Sequence, residues 1–219
     1  YYYTLLIGGP DVYIATVDVA TGKVLAPPGL IPQRFLGSNV GPGWSPDGKR
    51  LLYISRRGPV GPAFNIPTIR SMETGRERDL SPKLNFLNQA RWSPDGRSIL
   101  AICYDRTDRR GICRIDAETS EVTLLVENRA GESRLVPKGC PDGKSIIYYY
   151  VAESGKLRSI RMHNLETGEE KDVIRGVAWR FDLSWDGRQL AFHAEDPTTK
   201  ELVLKVAPLA GGEPRELFR

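Results

Sequence analysis

The segment Gly-Trp-Ser-Pro-Asp-Gly at residues 43–48 is the part of this sequence that most resembles a catalytic motif. A serine between two glycines marks the nucleophile elbow of α/β-hydrolases, where the serine attacks an acyl group. Here the second glycine follows Ser45 by three residues rather than two. Strand-like residues flank the segment on both sides, whereas the elbow needs a strand, a turn and a helix. We therefore interpret Ser45, and Ser93 in a similar segment, as turn residues.

Other groups that could support catalysis or metal binding are few. The two histidines, His163 and His193, have no second ligand at a metal-binding spacing such as His-x-x-x-His. His163 follows the predicted third strand of its repeat and His193 ends a predicted second strand, which favours polar residues of a sheet. A Ser/His/Asp triad stays open, because triads are recognised by geometry. The sequence thus predicts no catalytic constellation, no metal and no cofactor.

The three cysteines are too few for a disulfide scaffold. Cys103 and Cys113 flank a predicted hairpin loop at residues 105–111, and they would lie opposite each other if the hairpin were symmetric about residues 107–109. A bridge needs specific geometry, and cysteine is among the most buried residue types. We favour two small buried residues over a disulfide.

The turn that contains Ser45 returns three times, each time before an apolar run. The repeated turn residues are Asp47 and Gly48, Asp95 and Gly96, Asp142 and Gly143, and Asp186 and Gly187. Successive aspartates are 48, 47 and 44 residues apart, a spacing typical of repeat proteins. The aspartates could be read as calcium ligands. One aspartate per tight turn is explained without a metal, because Asp hydrogen-bonds to the backbone of its own turn.

A second series of turns runs in phase with the first, at Gly22, Gly75, Ser120, Gly168 and Gly212. The two series of turns therefore divide each repeat into four predicted antiparallel strands. Repeats of this length and composition form a β-propeller. We predict an all-β fold of about five blades in one domain, with blades near residues 1–32, 40–80, 88–126, 134–174 and 178–218. The first blade lacks its innermost strand, and residues 2–7, 12–17 and 23–26 form its other strands. We favour a closed ring over a fragment of a larger one.

The pattern Trp-Ser-Pro-Asp-Gly-Lys/Arg-x-Leu/Ile-x-Tyr/Ala resembles the WD40-like (PD40) repeat of the TolB propeller family. Similar repeats occur in the propellers of tricorn-type and prolyl-oligopeptidase-type peptidases and in bacterial sensor propellers. The resemblance covers essentially the whole chain and implies a bacterial β-propeller, with a periplasmic location slightly favoured over a cytoplasmic one. It implies no single activity, because its residues are turn and packing residues.

In a four-stranded meander both series of turns lie at one end of each blade, and the long irregular loops lie at the other. Loops on a rigid scaffold often carry binding residues, and arginines suit carboxylates and peptide backbones. The candidates on these loops are Arg56, Arg57, Phe64, Arg106, Arg109, Arg110 and Arg129. We expect them to bind a protein or peptide, acidic if the arginines set the preference. The alternative is a solvated face without a specific role.

The bulk composition excludes two classes of partner. The net charge of +4 is a mild excess, without the basic stripe of a nucleic-acid binder. No apolar run approaches the roughly 20 residues that span a bilayer. Open blade edges would favour self-association.

We therefore predict a non-catalytic scaffold for protein or peptide interaction. The alternative is a regulatory, gating or sensor propeller of a larger enzyme, a serine peptidase or a kinase, and the missing initiator Met favours it. A third option is a hydrolase or lyase with its site at the central channel.

Overall fold

The computed structural model describes residues 10–57, 65–152 and 155–218, apart from the side chains of residues 178–179. These residues form one two-stranded and four four-stranded antiparallel sheets, which we number as blades 1–5. The predicted all-β propeller of four-stranded antiparallel blades is confirmed. No helix in the described part of the chain is long and apolar enough to span a membrane.

The strands follow one another in chain order. Blade 1 consists of β1 (Tyr13–Val17) and β2 (Val24–Leu30). Blade 2 consists of β3 (Asn39–Trp44), β4 (Arg50–Arg56), β5 (Asn65–Ser71) and β6 (Glu77–Asp79). Blade 3 consists of β7 (Leu84–Trp92), β8 (Ser98–Asp105), β9 (Arg110–Asp116) and β10 (Val122–Glu127). Blade 4 consists of β11 (Ser133–Gly139), β12 (Ser145–Ala152), β13 (Leu157–Asn164) and β14 (Glu170–Arg175). Blade 5 consists of β15 (Val177–Leu183), β16 (Gln189–Glu195), β17 (Leu202–Pro208) and β18 (Arg215–Phe218).

The first strand of each four-stranded blade is its innermost strand. In every blade, sequence neighbours pair with each other, so the sheets are simple meanders. Strand β7 contacts β3 and β11, the first strands of the adjacent blades. Four inner strands, β3, β7, β11 and β15, therefore border the propeller axis.

Blade 1 differs from its predicted form in one strand. Strand β2 ends at Leu30, beyond the predicted end at residue 26. Pro27 and Pro28 lie within it, which an edge strand tolerates because one side of its backbone makes no ladder hydrogen bonds. The predicted strand at residues 2–7 lies outside the described residues, so the closure of the ring stays a prediction.

The central strands are apolar on both faces, and each face packs against a neighbouring blade. In β4, Leu51 and Tyr53 belong to the cluster that joins blade 2 to blade 1. Leu52 and Ile54, which alternate with them, belong to the cluster that joins blade 2 to blade 3. Equivalent clusters lie between blades 3 and 4 and between blades 4 and 5. The core of the protein is thus a series of interfaces between successive sheets.

The repeated turn is held by its own side chains. Ser45 Oγ donates a hydrogen bond to Asp47 Oδ1 (2.5 Å), which also accepts the N–H of Lys49 (3.0 Å). The hydrogen bond from Ser45 lowers the pKa of Asp47. Gly48 has a φ of 69°, a left-handed conformation that glycine adopts at little cost. The same contact between the aspartate and a backbone N–H recurs at Asp95, Asp142 and Asp186.

Both turns of a blade lie at the same end of its sheet. The N–H of Met72, which follows β5, donates to the carbonyl oxygen of Lys49, which follows the first turn (2.9 Å). The equivalent bonds in the other blades join Ala117 to Arg97, Leu165 to Lys144 and Leu209 to Arg188. We call this end the turn face. The opposite end, which carries the β4–β5 and β8–β9 loops and the connections between blades, is the loop face.

Proline rings of these turns pack against glycines of the next blade. A Cβ atom on Gly139 would lie 2.4 Å from Pro94 Cδ, and one on Gly187 would lie 2.6 Å from Pro141 Cδ. Such distances are far inside van der Waals contact. The spacing between successive blades therefore depends on the absence of a side chain at these positions.

Cys103 and Cys113 form a disulfide between β8 and β9, with Cα atoms 6.0 Å apart. The favoured interpretation as two unbonded residues is therefore wrong, although both side chains are buried. The hairpin is centred one residue earlier than in the symmetric alignment, because a turn from Asp105 to Asp108 closes it. The two cysteines consequently lie diagonally, with Cys103 opposite Gly111.

The glycine contacts predict the effect of one methyl group. We expect Gly139→Ala to lower the free energy of unfolding by about 1–3 kcal/mol, the usual cost of overpacking a tight contact. Gly43→Ala is the matched control, because a Cβ at this inner-strand position would meet no atom within 4 Å. Urea denaturation followed by circular dichroism measures both. Equal midpoints for Gly139→Ala and wild type would refute the role of this contact.

The cysteine assignment predicts a count of reactive thiols. Protein purified without reductant should expose one thiol to Ellman's reagent after unfolding in guanidinium, namely that of Cys140. It should expose three after reduction, the total number of cysteines. Three thiols in the unfolded, unreduced protein would show that Cys103 and Cys113 are not bonded.

Candidate functional site

A cavity of about 980 Å³ lies among the four inner strands, at the turn face. Its wall includes turn residues of all four complete blades, Pro46, Pro94, Pro141 and Trp185. It extends outward into the crevice between blades 3 and 4, where Leu100 and Ile146 line it. We call this space the axial cavity.

Each inner strand carries a β-bulge where it borders the axis. The registers shift between Val40 and Gly43 in β3 and between Asn88 and Arg91 in β7. They also shift between Leu135 and Lys138 in β11 and between Val177 and Phe181 in β15. Bulges bend a strand and redirect its side chains, and they are frequent beside functional sites.

Two bulges hold residues in left-handed conformations that side chains rarely adopt. Gln89 has a φ of 52° and Val136, a β-branched residue, has a φ of 53°. The N–H of Val136 donates to the side-chain Oε1 of Gln89, in the neighbouring blade, over 2.6 Å. This bond between blades 3 and 4 stabilises the unusual backbone of β11.

The bulges place four equivalent residues on the cavity wall. Each lies four positions before the aspartate of its turn, and together they form what we call the axial ring. The axial ring consists of Gly43, Arg91, Lys138 and Asp182. Lys138 Nζ contacts Asp182 Oδ1 of the next blade at 2.8 Å. Arg91 Nη1 donates to the carbonyl oxygens of Ala90 (2.9 Å) and Gly41 (3.4 Å).

The charge of the cavity wall is positive overall. Arg91, Arg114, Lys138 and Arg180 line it, against two carboxylates, Asp95 and Asp182. Asp182 pairs with Lys138, and Asp95 accepts hydrogen bonds from Ser93 and the N–H of Arg97 within its turn. The wall therefore suits a ligand with negative charge.

Two tryptophans form part of the cavity wall and remain exposed. Trp185 is 80% exposed and Trp44 is 38% exposed. Trp185 occupies the position that proline holds in the other three turns. Exposed aromatic side chains beside a cavity provide flat contact area for a ligand.

Among the described residues of the wall, no serine or cysteine side chain hydrogen-bonds to a histidine or lysine base. Burial, with a smaller contribution from Asp142, raises the pKa of the Cys140 thiol to about 12. Ser93 Oγ donates to Asp95 and accepts the N–H of Ser98, so it serves the turn. Among the residues that the structure describes, no group of three or more His, Cys, Asp or Glu residues could hold a metal ion.

Neither histidine lines the axial cavity. His163, in β13, has its Nδ1 atom 3.5 Å from Glu170 Oε1, inside blade 4. Glu170 also contacts the buried Arg134 and accepts a hydrogen bond from Tyr148. Burial opposes ionisation of Glu170, but the hydrogen bond from Tyr148 and the charge of Arg134 lower its pKa. His163 thus belongs to a charged network within the fold.

On the loop face, the structure gives the candidate arginines of blade 2 different surroundings. Arg56 is exposed at the end of β4. Arg57 turns inward and makes two hydrogen bonds with Asp79, at 2.6 and 2.7 Å. Its guanidinium also lies over the Phe35 ring, 4.0 Å from the centroid. Phe64 lies outside the described residues.

The remaining candidates lie on blade 3 and on the connection that follows it. Arg106 and Arg129 are exposed, and Arg109 pairs with Asp105 at 2.8 Å. Arg110 lies 4.6 Å from the centroid of Tyr104, which stacks on Phe86 at 4.6 Å. The β8–β9 loop thus brings together three of the predicted arginines, Arg106, Arg109 and Arg110.

The axial ring is absent from the sequence-based predictions. These residues, Arg91, Lys138 and Asp182, occur in no recognisable motif, and an isolated polar residue in a strand does not by itself predict a binding site. Their common distance from the turn aspartates is the signal that could have found them, because it identifies equivalent positions in a repeat.

No family model matches the chain. It is 31% identical over 159 residues to the uncharacterized peptidase YuxL of Bacillus subtilis, which covers 70% of this chain and 21% of that protein. It is 26% identical over 143 residues to dipeptidyl-peptidase 5 of Porphyromonas gingivalis, which covers 61% of this chain and 20% of that protein. The chain therefore spans about a fifth of the length of both peptidases.

A solved structure shows the same fold. The crystal structure of TolB from Acinetobacter baumannii superimposes with a TM-score of 0.70 and 21% identity, over 96% of this chain and 49% of that one. The architecture is therefore a β-propeller like that of TolB.

The bond between Gln89 and Val136 predicts a stability change at the cavity wall. We expect Gln89→Ala to lower the free energy of unfolding by about 1–2 kcal/mol, because it leaves the part-buried N–H of Val136 without its acceptor. Gln89→Glu keeps an acceptor oxygen and should lose less than half as much. Urea unfolding of both variants measures the difference. Wild-type stability in Gln89→Ala would contradict this role.

Proposed function

We propose that this chain is a non-catalytic β-propeller that binds a peptide segment of a partner protein in its axial cavity. The observation that carries the proposal is the axial cavity itself, which has about 980 Å³ and two exposed tryptophans. Ligand pockets in proteins commonly measure about 300–1,000 Å³. The cavity is therefore large enough for several residues of an extended peptide.

The lining of the cavity favours binding over catalysis. The serine hydroxyl of Ser93 is engaged in its turn, and the thiol of Cys140 is buried and protonated at neutral pH. By contrast, Trp44 and Trp185 offer the aromatic surface that often anchors a protein partner. We take the turn motif to be the WD40-like (PD40) repeat of TolB-like propellers, which supports a bacterial scaffold.

A second candidate is supported by the sequence relatives. Two proteins named as peptidases match this chain over about a fifth of their lengths. In this alternative the chain is the propeller of a larger peptidase, and the axial cavity selects peptides for a hydrolase domain. The protein sequence encoded on either side of this chain distinguishes the two candidates, because a hydrolase domain there would support the second.

The loop face provides a second surface for a protein partner. Arg106 and Arg110 are exposed there, and the Arg110–Tyr104–Phe86 stack combines positive charge with aromatic area. The disulfide between Cys103 and Cys113 favours an oxidising compartment, which supports the periplasm over the cytoplasm.

Peptide selection tests the proposal directly. Random decapeptides displayed on phage should be enriched on the purified chain, and a labelled copy of an enriched peptide should bind saturably by fluorescence anisotropy. We expect Trp185→Ser to weaken this binding about tenfold, because a central aromatic anchor commonly contributes more than 1 kcal/mol. Val19→Ser is the matched control, since Val19 is an exposed apolar residue that does not line the cavity.

Three outcomes would contradict the proposal. The first is the absence of any enriched peptide, and the second is binding that Trp185→Ser leaves unchanged. The third is cleavage of the bound peptide by the purified chain, which mass spectrometry of the recovered peptide would reveal.

A further inference from the structure

We propose that Arg91 recognises a carboxylate of the bound peptide, in the space that Gly43 leaves open beside it. This inference rests on the proposed peptide binding and specifies the chemical group that the axial cavity selects.

The charges of the four axial-ring residues do not balance one another. Lys138 is neutralised by Asp182 of the next blade, at 2.8 Å. Arg91 occupies the equivalent position in the preceding blade, and its two neighbours on the ring are Lys138 and Gly43. It makes no ion pair with any of the described residues. Within the described part of the chain Arg91 therefore has no carboxylate partner, and a ligand can supply one.

The hydrogen bonds of Arg91 hold its guanidinium at the wall. Nη1 donates to the carbonyl oxygens of Ala90 and Gly41, the latter in the neighbouring blade. Its Nε and Nη2 donors have no hydrogen bond to the part of the chain that the structure describes. A guanidinium presents its donors as a planar fork that matches both oxygens of a carboxylate.

Gly43 contributes space rather than backbone freedom. A Cβ atom at this position would meet nothing within 4 Å, and the backbone there is not left-handed. The other three blades carry arginine, lysine and aspartate at this position, so the inner strand accepts large side chains. The glycine therefore leaves one of the four ring positions without a side chain, next to Arg91, which has no anionic partner among the described residues.

A peptide can supply a carboxylate in two ways, by its C-terminus or by an Asp or Glu side chain. Three acetylated probes distinguish them: penta-alanine as the free acid, penta-alanine amide, and the amide Ala-Ala-Glu-Ala-Ala. Binding to the 219-residue chain is measured by isothermal titration calorimetry at low salt. We expect one or both acidic probes to bind about tenfold more tightly than the neutral amide, as a charge-assisted hydrogen-bonded pair would give.

Variants then assign the preference to Arg91. Arg91→Gln should remove the difference between acidic and neutral probes, and Gly43→Asp should do the same by giving Arg91 a carboxylate of its own. Arg188→Gln is the matched control, because Arg188 is an exposed arginine of the turn face outside the cavity wall. It should keep the wild-type preference. Near-ultraviolet circular dichroism confirms that each variant is folded.

The possible failures are distinguishable. If all three probes bind equally, or if Arg91→Gln keeps the preference for acidic probes, the role of Arg91 is overturned while peptide binding stands. If no probe binds the wild-type chain while a phage-selected decapeptide does, this inference is overturned and the proposed function stands. If neither the probes nor any selected decapeptide binds, both are overturned.

Discussion

The structure depends on the burial of both faces of every central strand. A sheet with apolar residues on one face only can expose its other face to solvent. In β4, by contrast, Leu51, Leu52, Tyr53 and Ile54 are all buried, so both faces of the strand must pack against other parts of the protein. The neighbouring blades pack against these faces. Because each sheet is twisted, successive blades are rotated about a common axis, and the result is a propeller. Stacking of whole sheets thus replaces a single central core.

This mode of packing also determines where a ligand can bind. The sheets approach closely where Pro94 and Pro141 meet glycines of the next blade, but the inner strands diverge from ideal pairing near the axis. Their bulges turn equivalent side chains toward the centre, where the described residues leave the axial cavity. The bulge in β11 forces Val136 into an unfavourable left-handed backbone conformation, which a hydrogen bond from its N–H to Gln89 stabilises. Strained backbone of this kind often marks functional sites, where the surrounding structure maintains it.

The architecture could be predicted from the sequence because its signals are local. Turn residues such as Asp47 and Gly48 act through their own backbone, so their spacing alone predicts the repeat. The disulfide required the register of one hairpin, which depends on the turn at Asp105–Asp108. Arg57 turns inward to Asp79, which is 22 residues away in the sequence and lies on an outer strand. No local sequence pattern predicts that contact. The position of Arg91 on the axial ring is evident only when it is compared with the equivalent residues of the other blades, Gly43, Lys138 and Asp182. That comparison needs the propeller axis, which the sequence alone does not give.

We propose that the axial cavity, rather than the loop face, receives an anionic peptide. The most direct test is a ¹H–¹⁵N NMR titration of the chain with acetylated penta-alanine free acid and with the acetylated amide Ala-Ala-Glu-Ala-Ala. We expect saturable shifts that concentrate at Gly43, Arg91, Lys138 and the indole of Trp185, and that diminish in Arg91→Gln. Shifts confined to the β8–β9 loop around Arg106 and Arg110, or no saturable shift with either peptide, would contradict it.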